Sequence, residues 1–291
     1  MKICAVVPMF GFPEVTNKCI KFTSQNAGVD CDILIVDDAS PEPFHNDADN
    51  VFVLRLEKNL GFTGATNAGM LWALDHKYDY VLFLNNDTEP EPDFLKLLLE
   101  ALEKHTDLGI AASSRKITMK DGKPWIENFG IDLIMGYQAY TDTDLDKEVV
   151  RVAWLPICSA LIATDTIRQV GLLDKRMRMY CSDNDYCIRL QELGYRVGLV
   201  PKSKIKHLHQ MTTHSINNIY SDADRDQKVL LEKLCCHLQR QLLDTYPLDW
   251  HAKTWGKLEF FIYTKDKEPN FMEQEEDDQL NQPATAELTG R

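Results

Sequence analysis

No CxxC pair joins any two of the eight cysteines, Cys4, Cys19, Cys31, Cys158, Cys181, Cys187, Cys235 and Cys236. Their spacings do not read as a zinc site. Cys4 lies in an apolar run and Cys235-Cys236 in a helical pattern, which suits buried thiols in a reducing compartment. Basic residues are in short supply too: 32 Lys and Arg face 45 Asp and Glu, a formal charge of −13. Binding along a nucleic-acid backbone needs clustered Lys and Arg, so no nucleic-acid partner is expected. No apolar run approaches membrane-spanning length. The opening Met1-Lys2-Ile3-Cys4-Ala5-Val6-Val7 meets Pro8 too soon for a secretory signal. The expectation is a cytoplasmic protein, peripheral at most to the inner face of a membrane. GxGxxG followed by an acid at the dinucleotide distance is also missing, which argues against a Rossmann dehydrogenase. There is no internal repeat.

What is present is ordinary in bulk and informative in detail. The 291 residues are 44% hydrophobic and 26% charged, enough for one large α/β domain with a small appendage. The most telling stretch is Tyr80-Val81-Leu82-Phe83-Leu84-Asn85-Asn86-Asp87. An unbroken apolar run that stops at a polar cluster predicts a central parallel strand buried on both faces. Pro90 and Pro92 argue against its continuation. Asp87 then stands at the carboxyl end of a strand, where open α/β sheets bind ligands. The plainer reading of Asp87 is a cap for the helix that starts near Asp93.

In chain order, Ile3–Val7 predicts a first strand ended by Pro8, Glu14–Asn26 a helix and Cys31–Val36 a second strand. That strand runs into Asp37-Asp38-Ala39-Ser40-Pro41, a good turn in its own right and a place from which an acid can reach a ribose or base. Val51–Leu56 is a third strand. Small residues at Gly61, Gly64, Ala65, Ala68 and Gly69 then let the backbone approach a ligand or the sheet closely. Asp93–His105 is an amphipathic helix and Ile110–Ala112 a short strand; Ser113–Asp146 reads as an excursion over the sheet. Val149–Leu155 and Ser159–Ala163 are strands around Pro156, followed by a helix over Thr166–Val170. Asp183 and Asn184 open a helix that Gly194 stops. Tyr195–Leu199 is a strand ended by Pro201, and Ser221–Tyr246 is helical. Trp250, Trp255, Phe260, Phe261 and Tyr263 form an aromatic cluster that reads equally as a self-association surface or as packing on that helix. Beyond Thr264 the acidic composition predicts disorder.

Taken together and in order, Val7-Pro8, Val36-Asp37-Asp38-Ala39-Ser40, Asn59-Leu60-Gly61-Phe62, Asn67-Ala68-Gly69, Leu84-Asn85-Asn86-Asp87 and Asp183-Asn184-Asp185-Tyr186-Cys187-Ile188-Arg189, with His207 behind them, resemble family 2 glycosyltransferases, nearest the rhamnosyltransferase-like branch. The resemblance spans Lys2–Thr213. It implies the GT-A nucleotide-diphospho-sugar transferase fold, an α/β architecture with a mostly parallel central sheet flanked by helices. With the residue pattern beyond it, the expected organisation is a transferase domain over 1–215, a helical and aromatic C-terminal extension over 216–263 that offers a homo-oligomer surface at 250–263, and an acidic tail over 264–291. On that resemblance Asp38 contacts the base or ribose of a nucleotide sugar. Pro8, Asp37, Asn59, Gly61, Gly64, Asn67, Asn85 and Asn86 fall on the donor-side motifs with it. Asp87, in the slot of the family's DXD motif, and His207 are the implied ligands of a divalent metal, Mn²⁺ or Mg²⁺. Asp183 takes the place of the catalytic base, with Ser182 where the family has Glu.

The chemistry asks for these residue types. A departing nucleoside diphosphate gathers negative charge, which a hard cation offsets. One carboxylate and one imidazole, completed by phosphate oxygens and water, suit Mg²⁺ or Mn²⁺ better than Zn²⁺. An acceptor hydroxyl needs a base, and one base without a second carboxylate nucleophile implies inversion. Asp185 either assists the base or caps its helix. His209 and His214 are alternatives to His207. Trp125 and Trp154 read either as sugar-stacking or as packing residues. The implied partners are a nucleoside-diphosphate sugar and an acceptor hydroxyl of unidentified kind, as in polysaccharide biosynthesis. A sugar-nucleotide pyrophosphorylase would want a basic Gly-rich loop after the first strand, and Met9-Phe10-Gly11-Phe12-Pro13 has no Lys or Arg. A degenerate domain that only binds a sugar nucleotide is the non-enzymatic alternative, suggested by Asn85 and Ser182.

Overall fold

The computed structural model describes residues 1–118, 124–127, 130–132, 136–138, 146–208, 222–223 and 225–234, without side chains over 116–145. The chain divides into two compact units, one containing Met1–Lys228 and the other beginning at Val229. In the second unit the described residues, 229–234, are helical. The aromatic cluster at 250–263, the acidic tail, Cys235, Cys236, His209 and His214 lie outside the described residues.

The first unit runs β1 (Ile3–Met9), α1 (Pro13–Asn26), β2 (Asp32–Asp37), β3 (Val51–Arg55), α2 (Gly61–Asp75), β4 (Tyr80–Leu84), β5 (Thr88–Pro90), α3 (Phe94–Lys104) and β6 (Leu108–Thr118). It continues through β7 (Pro124–Glu127), β8 (Gly130–Asp132), β9 (Gly136–Gln138), β10 (Val150–Val152), β11 (Ser159–Ala163), α4 (Thr164–Val170), α5 (Ser182–Glu192) and β12 (Arg196–His207). The main sheet has the order β10-β12-β6-β11-β4-β1-β2-β3, with β5 on β12 and β7 on β6. Strands β3, β2, β1 and β4 are mutually parallel. β11 then enters antiparallel between β4 and β6, so the sheet is mixed and β4 has a parallel neighbour on one side only.

Alternation along the central strands divides the core in two. Cys4, Val6, Leu34 and Val36 face Ala65, Met70 and Ala73 of α2 and Tyr186, Cys187 and Leu190 of α5. Ile3, Ala5, Val7, Ile33 and Ile35 face Cys19 and Ile20 of α1 and Phe94, Leu95 and Leu98 of α3. Helices therefore cover both faces, which is why these strands read as continuous apolar runs. Gly69 is what lets α2 lie close on the sheet, because a Cβ there would strike Val6.

Four proline and boundary expectations are corrected. Pro8 does not end β1: it stays in register with Val36, beyond the last β4 partner at Val6, where the strand needs no donor on that side. Pro201 does not end β12 either. A register shift between Val200 and Lys204 absorbs it, after which the strand resumes alongside β6 as far as His207. β6 runs well past Ala112, because the hydroxyl of Ser113 pairs with those of Ser159 (2.9 Å) and Ser203 (2.7 Å) inside the sheet. β10 is shorter than expected, and Trp154 beyond it packs against the core. Trp125 lies in β7, whose side chains are outside the description.

Candidate active site

The carboxyl edge of the sheet gathers the ends of β1, β2 and β4, the start of β11 and the end of β12. Asp87 follows β4 in a tight turn: Asn85 N–H donates to Cys158 C=O (3.0 Å), and the Thr88 hydroxyl to Asn85 C=O (2.7 Å). β5 then lies antiparallel to the end of β12, with Thr88 opposite His207. The result is that His207 Nε2 lies 3.0 Å from Asp87 Oδ1, both side chains being buried. Leu208 N–H closes the arrangement on Asp87 C=O (2.9 Å). Asn85 Nδ2 also approaches His207 Nε2 at 3.4 Å. Asn86 turns the other way and donates to Thr16 Oγ1 of α1 (3.1 Å). Asp87 does not cap α3; Asp93 occupies that position, in the left-handed region.

At the end of β2 the two acids divide the work. Asp37 is wholly buried and accepts from Ser40 N–H (2.8 Å), Phe44 N–H (3.2 Å) and the Arg55 guanidinium, so its carboxylate builds the turn. Asp38 accepts from Leu60 N–H (2.6 Å) and Gly61 N–H (2.8 Å), tying β2 to the first turn of α2. Burial pushes its pKa up to about 6 despite those two donors. Asn59 donates to Asp38 C=O (3.0 Å) and accepts from Arg178. Gly61 is left-handed (φ 74°), and a Cβ there would lie 2.6 Å from Arg178 Cγ. Gly64 lies in α2, packed against Leu60. The Asn67 amide is engaged away from the edge, donating to Leu173 C=O and accepting from Leu173 N–H, each at 2.9 Å.

Asp183 and Asp185 share the first turn of α5 and have different surroundings. Cys181, left-handed at φ 63°, turns the chain into the helix, which begins at Ser182. Asp183 is half-buried and accepts from Asn184 N–H (2.9 Å). A helix N-terminus favours the ionised form, yet burial outweighs it and pushes Asp183 up to about 6, with Arg115 pulling the other way. Asp185 is buried against Arg189 (2.9 Å), whose guanidinium also donates to Val170 C=O (2.7 Å) and Leu172 C=O (2.8 Å). That network anchors α5 to the end of α4.

Two residues not anticipated from sequence complete the edge. Cys158, at the start of β11, is buried; burial raises its thiol pKa, Arg115 opposes the rise, and Asp87 and Asp183 add to it. Arg115, buried on β6, is the cation beside that thiol. Neither stood out because a Cys in an apolar run and an Arg in a polar stretch carry no periodic signal. Among the described residues no group of three or more His, Cys, Asp or Glu could hold a metal by itself. No described helix is long and apolar enough to cross a membrane.

The helix-flanked mixed sheet, with its polar groups gathered at the carboxyl edge, superposes on solved glycosyltransferases of the GT-A fold. GalNAc-T7, solved with UDP, GalNAc and Mn²⁺, superposes with a TM-score of 0.57 at 14% identity, covering 71% of this chain and 44% of that one. The TarS 1–349 structure of S. aureus in complex with UDP gives 0.52 at 13% identity, covering 71% of this chain and 60% of that one. The chain thus spans about half the length of these solved relatives. The undecaprenyl-phosphate mannosyltransferase of Micrococcus luteus is 28% identical over 225 residues, 69% of this chain and 82% of that protein. The family described as "Glycosyl transferase family 2" matches residues 4–155, more than half of the chain. The chain belongs to that family and is, at that level, a glycosyltransferase; the matches carry no branch within it.

Proposed function

We propose that this glycosyltransferase is metal-dependent and inverting, and moves a sugar from a nucleoside-diphosphate donor to an acceptor hydroxyl. The observation that carries the reading is the meeting of Asp87 and His207, 3.0 Å apart and buried, at the carboxyl edge of the sheet. The donor set fits a hard cation that is shared with a substrate. One carboxylate and one imidazole leave most positions to phosphate oxygens and water, as Mg²⁺ and Mn²⁺ prefer. Asp87 and His207 would hold Mn²⁺ or Mg²⁺, which when bound offsets the charge gathering on the departing diphosphate.

The remaining roles belong to the chain's own side chains. Asp183 accepts the proton of the acceptor hydroxyl as it attacks. Its pKa of about 6 leaves it ionised at neutral pH yet far more basic than an ordinary Asp. Asp185, engaged by Arg189, supports the helix and takes no proton. Asp38 and Asn59 form the nucleoside side, with the first turn of α2 held open by Gly61. A single free base supports direct displacement and hence inversion. The unpaired thiols of Cys4, Cys19, Cys158 and Cys187 suit a reducing, cytoplasmic setting.

The test is a panel of nucleoside-diphosphate sugars assayed for nucleoside diphosphate release with Mg²⁺ or Mn²⁺, with and without acceptors. A mannose donor with a polyprenyl phosphate heads the panel because the Micrococcus luteus relative is named for that transfer. Metal-dependent release with one donor is expected. Donor binding without release from any member would instead make the chain a sugar-nucleotide sensor, and release unaffected by chelation would remove the metal.

A further inference from the structure

The segment leading into α5 has a second anchorage that the roles above do not use. Asp226 is wholly buried and lies in a helical segment, 225–234, beyond β12 and outside the residues that match the family. Its Oδ2 accepts from Met179 N–H (2.7 Å) and Tyr180 N–H (2.9 Å). Its Oδ1 accepts from Arg225 Nε (3.1 Å) and Nη2 (2.8 Å). One residue earlier, Arg178 Nη1 donates to Asp222 Oδ2 (3.0 Å) while Nη2 donates to Asn59 Oδ1. Thr63 N–H donates to Arg178 C=O (3.1 Å), and Phe62 N–H meets Met179 Sδ (3.4 Å). Residues 178–180 are therefore laced on one side to the first turn of α2, where Asp38 is bound, and on the other to Asp222 and Asp226. Three residues after Tyr180 stands Asp183.

A buried carboxylate is costly to desolvate unless its oxygens are fully engaged, and charge-assisted bonds to backbone N–H groups are roughly twice as strong as neutral ones. Here that strength is applied to two consecutive amides of an otherwise irregular loop.

We propose that Asp226 is a positioning residue for glycosyl transfer. By holding the N–H groups of Met179 and Tyr180 it fixes the loop that presents Asp183, while Arg178, paired with Asp222, joins that loop to the nucleoside side at Asn59. The proposal rests on Asp183 being the base. Asp222 and Asp226, beyond β12, are then part of the catalytic apparatus, not of an appendage. Asp226 touches no substrate and acts only through the loop.

The experiment compares Asp226→Leu, Asp226→Asn and Arg178→Met with the wild-type full chain, by hydrogen exchange, by kinetics with the donor found active, and by binding of UDP and of GDP, each with Mn²⁺. Asp226→Leu keeps the branched shape and removes both acceptors. Exchange of the peptide containing Met179 and Tyr180 should speed up selectively. The kcat should fall roughly 10- to 100-fold, as sub-ångström to ångström misplacement of a reacting group does, while the dissociation constant of the bound diphosphate moves less than about threefold. Asp226→Asn can turn its carbonyl oxygen to the two N–H groups and should recover most of the rate. Arg178→Met should weaken diphosphate binding as well as kcat. An Asp226→Leu protein with wild-type kcat, or with a rate lost only in proportion to the unfolded fraction, overturns the proposal. If Asp226→Leu does not fold, Asp226→Ala takes its place, and wild-type exchange at Met179 and Tyr180 together with wild-type kcat in that variant overturns the proposal. A wild-type chain that transfers from no donor defeats the assignment of Asp183, whereas the exchange measurement judges the brace without any activity.

Discussion

Replacing Asp183 by Asn separates chemistry from folding more sharply than any other change at the sheet edge. The hydrogen bond that its carboxylate accepts from Asn184 N–H, at 2.9 Å, can be kept by the carbonyl of Asn. Proton affinity cannot. A positioned base contributes about 10²–10⁴ in rate, so the barrier should rise by about 3–5 kcal/mol, with donor and metal affinity unchanged. Stability should move the opposite way. The folded pKa, about 6, lies above the unfolded value of about 3.9, so the native state binds the proton more tightly. Stability from this group is therefore full below pH ~4, declines as pH rises to ~6 and stays low above. Removing the carboxylate should relieve that cost at pH 7, on the order of 1–2 kcal/mol once its part exposure is discounted. Asp185→Asn should show the reverse signature. It leaves Arg189 without its buried partner, at a cost of about 3 kcal/mol, and keeps activity per folded molecule. Steady-state kinetics from pH 5 to 8 beside thermal melts decide the matter. Wild-type kcat should reach half its plateau near pH 6. A near wild-type rate for Asp183→Asn with a dead Asp185→Asn of unchanged melting temperature refutes the assignment.

Asp87→Ala should abolish transfer and metal-dependent nucleoside diphosphate binding while circular dichroism stays native; calorimetry of UDP with and without Mn²⁺ checks it. His207→Ala should shift the Mn²⁺ titration of activity to higher concentration by more than it weakens nucleoside binding, and an unmoved titration curve would remove His207 from the metal. Gly69→Ala sets a methyl group against Val6 under α2 and should cost about 1–3 kcal/mol by overpacking, read as a lower denaturation midpoint.

The parallel half of the sheet was legible in the sequence because strands buried on both faces are written as uninterrupted apolar runs: Ile3–Val7, Ile33–Val36 and Val81–Leu84 each needed no partner information. What failed needed it. Pro201 is a strand breaker in isolation, and only the register shift against β6 makes it tolerable. Ser113 reads as the start of a loop until the hydroxyls of Ser159 and Ser203 are beside it. At the site, positions came through better than roles. Motif order put both Asp37 and Asp38 on the donor side, and the neighbouring Arg55 is what commits Asp37 to the turn. Asp226 carried no signal at all, because its partners lie 46 and 47 residues away and an Asp in a polar helix has no periodicity to break.

Asn85 and His207 meet although 122 positions separate them, and the strand that delivers His207 is the last in chain order among the described residues. Contacts that close such long loops form late and slowly. A ligand that needs both ends of that loop recognises only a chain whose sheet is complete, and it adds its binding free energy to that state alone. Diphosphate with its cation should therefore act as a folding checkpoint. During refolding, capture of a fluorescent nucleotide should lag behind the recovery of helical circular dichroism, and during synthesis it should begin only once the region of His207 has cleared the ribosome.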